Sequence, residues 1–425
     1  MKILLLGSGG REHTLAWKIA QSQHCKTLYI APGNAGTAQC GINLNFSDSD
    51  IQQIENCIIE KQIDMLVVGP ELPLVNGIYD TLKNNPKTKH VSVIGPSQKG
   101  AMLEGSKDFA KEFMIKNNIP TAHYKSFTKE NIESAFEFIH TLHPPYVLKA
   151  DGLAAGKGVL ICETKEEAHN TIKEMLLSEK FGKASQKVVI EQFLDGIELS
   201  VFVLTDGENY LILPSAKDYK RIGENNTGLN TGGMGAVSPV PFANQTFMDK
   251  VEQGIIIPTI KGLKKEKITY KGFIFIGLMN VNGDPYVIEY NVRMGDPETE
   301  SVIPRIENDL LDLFIHVEKQ SLNLVDIVIN PQATASIMLV SEGYPETYEK
   351  GKILSNLDKI NDSLLFHAGT KLNENKEVIS NGGRVIAITS FGNTLEEALS
   401  RSNKNAEILD FENKYYRTDI GKDIL

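Results

Sequence analysis

The chain has 425 residues, with 44 Lys and Arg against 54 Asp and Glu, a net charge of -10, and 41% hydrophobic and 23% charged residues. That length predicts roughly three domains of about 150 residues each, with ample core. The acidic balance argues against a nucleic-acid binder, which needs a basic face for phosphates. Four cysteines without Cys-x-x-Cys spacing read as reduced thiols, and the apolar run Ile3–Leu6 is too short for a signal-peptide core. No apolar stretch approaches the roughly 20 residues that cross a bilayer, so a cytoplasmic protein without membrane contact is expected.

Lys2–Leu6 is a continuous apolar strand that meets Gly7-Ser8-Gly9-Gly10 and then a helical pattern carried by Leu15, Ala16, Ile19 and Ala20. Strands at Thr27–Ile30 and Met65–Val68 follow, with a helix between them. This β-α-β-α-β rhythm predicts an open parallel sheet wrapped by helices, with ligands at the strands' carboxyl edge. Ser106 caps a helix bearing Phe109, Phe113 and Met114 that stops before Pro120. A helix through Ile132, Phe136 and Ile139 leads to the strand Tyr146–Ala150 and its hairpin partner Val159–Cys162. Thr164 and Glu167 form a capping box for a helix reaching Leu177. Strands dominate from Val188 to Leu213 and recur at Gly272–Asn280, Pro285–Tyr290, Ala333–Val340 and Arg384–Thr389, before a helix capped by Thr394 with Glu397. The expectation is a multidomain α/β and α+β protein: an N-terminal parallel α/β substrate domain (1–102), a central region (103–330) with a flap subdomain at about 120–190, and a C-terminal mixed α/β domain (331–425). No repeat or long linker separates them, so they should pack around a shared cleft.

The first glycine loop matches G-x-G-x-x-G only in part, because Glu12 stands where the third glycine would pack, and the second strand ends without an acid for a ribose. Nicotinamide or flavin binding is therefore disfavoured. An anion at the helix N-terminus and a plain tight turn both fit the loop. Lys149–Gly158 is not a Walker loop, since Gly158 replaces the Ser or Thr and a strand follows. Its small residues read as a hairpin flap, with the backbone of Gly152, Gly156 and Gly158 closing over phosphates, beside Lys149 and Lys157. An ordinary flexible turn is the alternative. Lys107, in a helix's first turn, opposes the helix dipole, as a phosphate ligand or an exposed side chain would.

Glu191 interrupts a buried-looking strand, where a carboxylate needs a partner: a nucleotide's exocyclic amine or a lysine. Glu198 could accept from ribose hydroxyls, and Leu194 could offer main-chain groups to adenine. A structural salt bridge would explain the two acids as well. Glu289 and Asn291, two apart on a strand, share a face and suit Mg²⁺. Arg293 falls on the same face and could grip a carboxylate or a transferring phosphoryl group, while Asp296 and Glu298 could meet an ammonium. The loop Asn230–Gly235, with Thr231, Gly232 and Gly233, follows Lys217-Asp218-Tyr219-Lys220-Arg221 and suits a small anionic substrate, unless it is a disordered connection. None of the nine histidines has metal-ligand spacing to another, which argues against zinc.

Taken together, these motifs resemble the phosphoribosylamine–glycine ligase family (glycinamide ribonucleotide synthetases), ATP-grasp enzymes of purine biosynthesis. The resemblance runs nearly end to end, through Gly7–His13, Ala31–Thr37, Val68–Val75, Leu103–Lys107, the 149–158 flap, Asn230–Gly235, Glu289–Thr299, His367–Thr370 and Asn381–Val385. It implies an ATP-grasp fold with a Rossmann-like N-terminal domain. It also implies ATP-dependent ligation of glycine to 5-phosphoribosylamine through glycyl phosphate, with Mg²⁺ or Mn²⁺; a monomer is expected. By the resemblance, Lys107 and Lys149 contact ATP phosphates, Glu191, Leu194 and Glu198 hold adenine and ribose, and Glu289 and Asn291 bind the metal. Arg293 and Lys149 are the catalytic candidates, with Asp218 and Asp296 near glycine or the amine and Gly9, Gly10 and Asn34 near the phosphoribosyl group. The family's usual Gln-Asp-His-Lys-Arg reads Lys217–Arg221 here, which puts any role of that glutamine or histidine in doubt. Another ATP-grasp ligase or carboxylase using bicarbonate or formate, or a nucleotide sensor without turnover, are the competing readings.

Overall fold

The computed structural model describes residues 1–154, 158–178 and 180–425. The N-terminal sheet is all parallel, in the order Ile42–Asn43, Thr27–Pro32, Lys2–Gly7, Met65–Val68, Ser92–Ile94. Its central strands are apolar throughout because helices cover both faces, and Ile3 to Leu6 are wholly buried. The strand order reverses beside Lys2–Gly7, where the helix Gly10–Ala20 begins and a ligand crevice is expected.

Two antiparallel sheets follow. Tyr124–Thr128, Lys187–Gln192, Tyr146–Ala150 and Val159–Cys162 form the flap. It has its own core, where Phe127, Leu148 and Ile190 meet Ile139 and Ile172 of the helices Ile132–Ile139 and Lys165–Leu177. The second sheet runs Tyr210–Ile212, Ile197–Thr205, Gly272–Val281, Asp284–Asn291. The turn between Gln192 and Ile197 joins the two, and Gly196 is needed there, because a Cβ would lie 2.2 Å from the Asn280 carbonyl.

The last sheet is antiparallel, in the order Lys217–Asp218, Gly235–Ser238, Ala333–Ser341, Arg384–Gly392, Leu364–His367, with the helix Leu395–Ile408 packed on it. It takes two strands from well before residue 331, so the sheet does not follow a cut of the chain at that point. The expected fold class holds: a parallel sheet first, then antiparallel and mixed layers. The expected caps are also present, the hydroxyls of Ser106, Thr164 and Thr394 accepting from the amides of Phe109, Glu167 and Glu397 at 3.1, 3.1 and 3.2 Å. The capping-box carboxylates, however, reach one residue further back, to the amides of Glu163 (2.8 Å) and Asn393 (2.9 Å).

Candidate active site

A cleft of about 800 Å³ lies between the flap and the second sheet and reaches the N-terminal and C-terminal units. On the flap side, Glu191 sits mid-strand opposite Tyr124 and Val147. It is 3% exposed and is met at 2.9 Å by both Lys149 and Lys111. Lys149 also donates to the Ile288 carbonyl across the cleft (3.2 Å), and Lys111 to the Thr121 hydroxyl (2.7 Å). Burial raises the Glu191 pKa, but the two ammoniums outweigh it and keep the acid ionised. Burial pushes Lys111 down to about 8, against the pull of Glu191. Of the partners open to Glu191, the lysine is realised twice, and Lys111 was not anticipated from the sequence.

The facing wall carries Glu289 and Asn291, which strand alternation aims to one side. Glu289 pairs in register with Gly277, next to an irregularity in the ladder, and a Cβ at Gly277 would come within 3.2 Å of the Glu289 side chain. Burial raises the Glu289 pKa, yet Lys220, Lys149 and Lys107 together hold it below the ordinary value. Lys220 also pairs with Glu198 at 2.7 Å. Lys107 is turned inward, its ammonium 3.4 Å from the Gly152 carbonyl and its pKa lowered by burial. Asp218 sits beside Lys220, and burial raises its pKa. Glu298 is pushed up to about 8 by burial and by the neighbouring Asp218.

Arg293 lines the cleft, and both of its Nη atoms are engaged by the chain itself while Nε has no hydrogen-bond partner among the described residues. One Nη bonds Glu104 (2.5 Å) and the Asn291 side-chain oxygen (3.2 Å), the other the Met294 carbonyl (3.3 Å), and Glu71 lies 3.4 Å from Nε. Asp296 pairs with Arg384 at 2.9 Å and accepts from the Arg11 amide at 3.3 Å. The Gly9 amide donates to Glu12 at 2.7 Å. The anion expected at the N-terminus of the helix Gly10–Ala20 is thus supplied by the protein's own carboxylates. Glu12 also explains the broken glycine motif: Gly7 has φ +119°, and a Cβ there would lie 2.4 Å from the Glu12 side chain.

The structure brings together on the cleft Lys107, Lys149, Gly158, Glu191, Glu198, Asp218, Thr231, Gly232, Glu289, Asn291, Arg293 and Asp296. Gly152 touches it through Lys107, and Leu194 lies half-buried in the turn beside it. Gly156 and Lys157 lie outside the described residues. The amides of Gly232 and Gly233 already donate to the Tyr344 and Thr231 hydroxyls, both at 2.9 Å, which orders a loop that also read as a possible disordered connection. Gly10 packs against Glu300, 2.2 Å from where a Cβ would sit.

Asn34 is a correction. Its side chain donates to the carbonyls of Ser8 (2.8 Å) and His367 (2.7 Å) and accepts from the amides of Gly36 (2.8 Å) and Thr37 (2.9 Å). A buried amide with both ends taken ties loops together and does not face a substrate. The sequence reading also missed Glu71, Glu104 and Arg384 as site residues, although each lies inside a quoted motif. Among the described residues no group of three or more His, Cys, Asp or Glu could hold a metal ion. Glu289 and Asn291 offer one carboxylate and one amide oxygen, which suits a hard ion that keeps waters and phosphate oxygens as its other ligands.

Three family models match: phosphoribosylglycinamide synthetase N domain over residues 1–104, its ATP-grasp (A) domain over 105–299, and its C domain over 334–423. A phosphoribosylamine–glycine ligase of Vibrio vulnificus is 44% identical over 426 residues, covering 99% of this chain and 98% of that one. The crystal structure of a phosphoribosylamine–glycine ligase from Thermotoga maritima superposes with a TM-score of 0.86 at 35% identity, covering 99% of this chain and all of that one. A Campylobacter jejuni biotin carboxylase bound to an ATP analogue, 14% identical with a TM-score of 0.72 over 98% of this chain and 93% of its own, shares the fold. With all three domain models matched in order and relatives aligned end to end, the chain belongs to the phosphoribosylglycinamide synthetase family.

Proposed function

We propose that this protein joins glycine to 5-phosphoribosylamine at the expense of ATP, giving 5-phosphoribosylglycinamide, ADP and phosphate in purine biosynthesis. The observation that carries the reading is one cleft in which Glu289 and Asn291 face Lys107 and Lys149, in a chain matched end to end by ligases of that name. ATP binding follows from the ATP-grasp fold. Glu191, Leu194 and Glu198 border the adenine and ribose, and Lys107, Lys149 and the 152–158 flap meet the phosphates. Glu289 and Asn291 would hold Mg²⁺ or Mn²⁺, which neutralises phosphate charge when bound.

The glycine carboxylate attacks the γ-phosphate, ADP leaves, and the amine of 5-phosphoribosylamine then displaces phosphate from glycyl phosphate. The protein's part is positioning and charge neutralisation. Arg293, its guanidinium held by Glu104 and Glu71, presents positive charge to the acyl phosphate, with Lys149 opposite. Asp218 and Asp296 offer carboxylates to the glycine ammonium or the attacking amine, and Thr231, Gly232 and Gly233 wall that end. The loops at Gly9 and Gly10 border the phosphoribosyl group. The units are residues 1–102, 103–330 and 331–425, the last completing its sheet with Lys217–Asp218 and Gly235–Ser238 of the second, working as a cytoplasmic monomer.

The test is phosphate release by purified protein given ATP and a panel of acids. Release is expected only with glycine and 5-phosphoribosylamine together. Release with bicarbonate alone would replace this reading with a carboxylase.

A further inference from the structure

The segment 217–221 lines the cleft along its whole length. Asp218 and Lys220 turn toward Glu198, Glu289 and Glu298. Lys217, Tyr219 and Arg221, which line the same cleft, are gripped by the chain's last turns, and Asp423 lines the cleft with them. Asp423 takes the Lys217 ammonium at 2.9 Å and the Tyr219 hydroxyl at 2.5 Å, while that ammonium sits 3.8 Å from the Tyr219 ring centre. Arg417 donates to the Arg221 carbonyl at 3.0 Å and is clamped by Asp419, which accepts from the Asn225 amide at 2.7 Å. The Tyr415 hydroxyl donates to the Ile222 carbonyl at 3.0 Å.

Such grips fix the roll of an extended segment. Side chains repeat every two residues, so a slip or roll would carry Asp218 and Lys220 away from Glu198, Glu289 and Glu298. Backbone bonds hold one edge of the segment, the Tyr219 amide donating to the Gly235 carbonyl at 3.1 Å and the Tyr219 and Lys220 carbonyls accepting from the Met234 and Thr231 amides at 2.7 Å, and the last turns add a grip on its side chains. Only Lys217 and Asp218 pair with a sheet, and Arg221–Gly223 with Thr227–Asn230 form a two-stranded hairpin whose residues 224–230 are exposed. Such a hairpin is marginal alone. Lys217 and Tyr219 are also the positions that depart from the family's usual Gln and His, and one carboxylate holds both.

We propose that residues 415–423 are a latch that fixes the roll of 217–221, with Asp423 as a positioning residue for Asp218 at the glycine end of the cleft. The proposal rests on the reading of Asp218 as a substrate contact. Asp423 itself is half-exposed, so its substitution leaves the core intact.

The test compares the full chain with its Asp423→Ala and Asp423→Glu variants. In Asp423→Ala the KM for glycine should rise about tenfold, with the KM for ATP within about twofold and kcat changed less than about threefold. Asp423→Glu should restore most of the loss. Amide exchange across 217–230 should quicken by about tenfold or more, with residues 1–100 unchanged. An unchanged glycine KM, or parallel rises for glycine and ATP with a falling Tm, would overturn the latch. If the unsubstituted protein makes no product from glycine, the reading of function fails, and exchange alone then decides: quickened exchange supports the latch and unchanged exchange removes it.

Discussion

Glu191 shows how the site residues combine structure with chemistry. A carboxylate this deep, met by two ammoniums, is held by geometry that fails when one partner is removed. Glu191→Gln should destabilise the fold by about 3–5 kcal/mol in denaturant unfolding, because Lys111 and Lys149 would then face each other without a counter-charge. A residue serving only the nucleotide would leave stability unchanged and move only the KM for ATP. Glu289 differs, because the lysines around it have other acids: Lys149 has Glu191, and Lys220 has Glu198. Glu289→Ala should lower kcat by at least about a hundredfold while Tm stays within a few degrees, the loss of one charge-stabilising group at the reacting centre. Near-normal turnover in that variant would remove the metal assignment.

At the scale of elements, the helix Gly10–Ala20 docks on the strand Leu364–His367 through a buried imidazole. His13 Nδ1 accepts from the His367 amide at 2.8 Å, and the His13 and Trp17 rings each meet Phe366 edge-on at 5.7 Å. Burial, and the neighbouring His367, push His13 down to about 3, and burial pushes His367 to about 4. Both are neutral in the fold, while in the unfolded chain each takes up a proton below its ordinary 6.5. The unfolded state therefore binds more protons between pH 6.5 and about 4, and stability must fall as the pH drops through that window. Each histidine should contribute about 1.4 kcal/mol per pH unit there. A His13→Gln variant should show a shallower fall in its denaturant midpoint between pH 7 and 5, and an identical slope would refute the assignment. Elements of this kind were largely legible. The strands Met65–Val68 and Tyr146–Ala150 and the three hydroxyl caps follow from local pattern, because periodicity and capping are local physics. The partners that complete the site were not: Lys111 lies in no motif, and the motifs that contain Glu104, Glu71 and Arg384 do not say which side chains from distant elements meet. Asn34 misled for the opposite reason: its motif marked it, and its amide serves the loops.

For the whole molecule, the decisive fact is that the last sheet is assembled from separated pieces. Ala333–Ser341 pairs on one side with Gly235–Ser238, register Gly235 to Ile337 through Ser238 to Thr334. A fragment of residues 331–425 would expose that long apolar strand as an unpaired edge. It should be largely unfolded by circular dichroism or aggregate, and a stably folded fragment would show that the borrowed strands are dispensable. The sequence suggested a cut near 331 because pattern restarts there, while the pairing that crosses it is long-range and silent in local composition. The same pairing sets an order on synthesis. Gly235–Ser238 leaves the ribosome on the order of a hundred residues before Ala333–Ser341, so at about 5–20 residues per second it waits about 5–20 seconds with only Lys217–Asp218 beside it. Late in that wait the nascent cleft has its flap and its Glu289 wall but lacks the strand Ala333–Ser341 that completes the outer sheet.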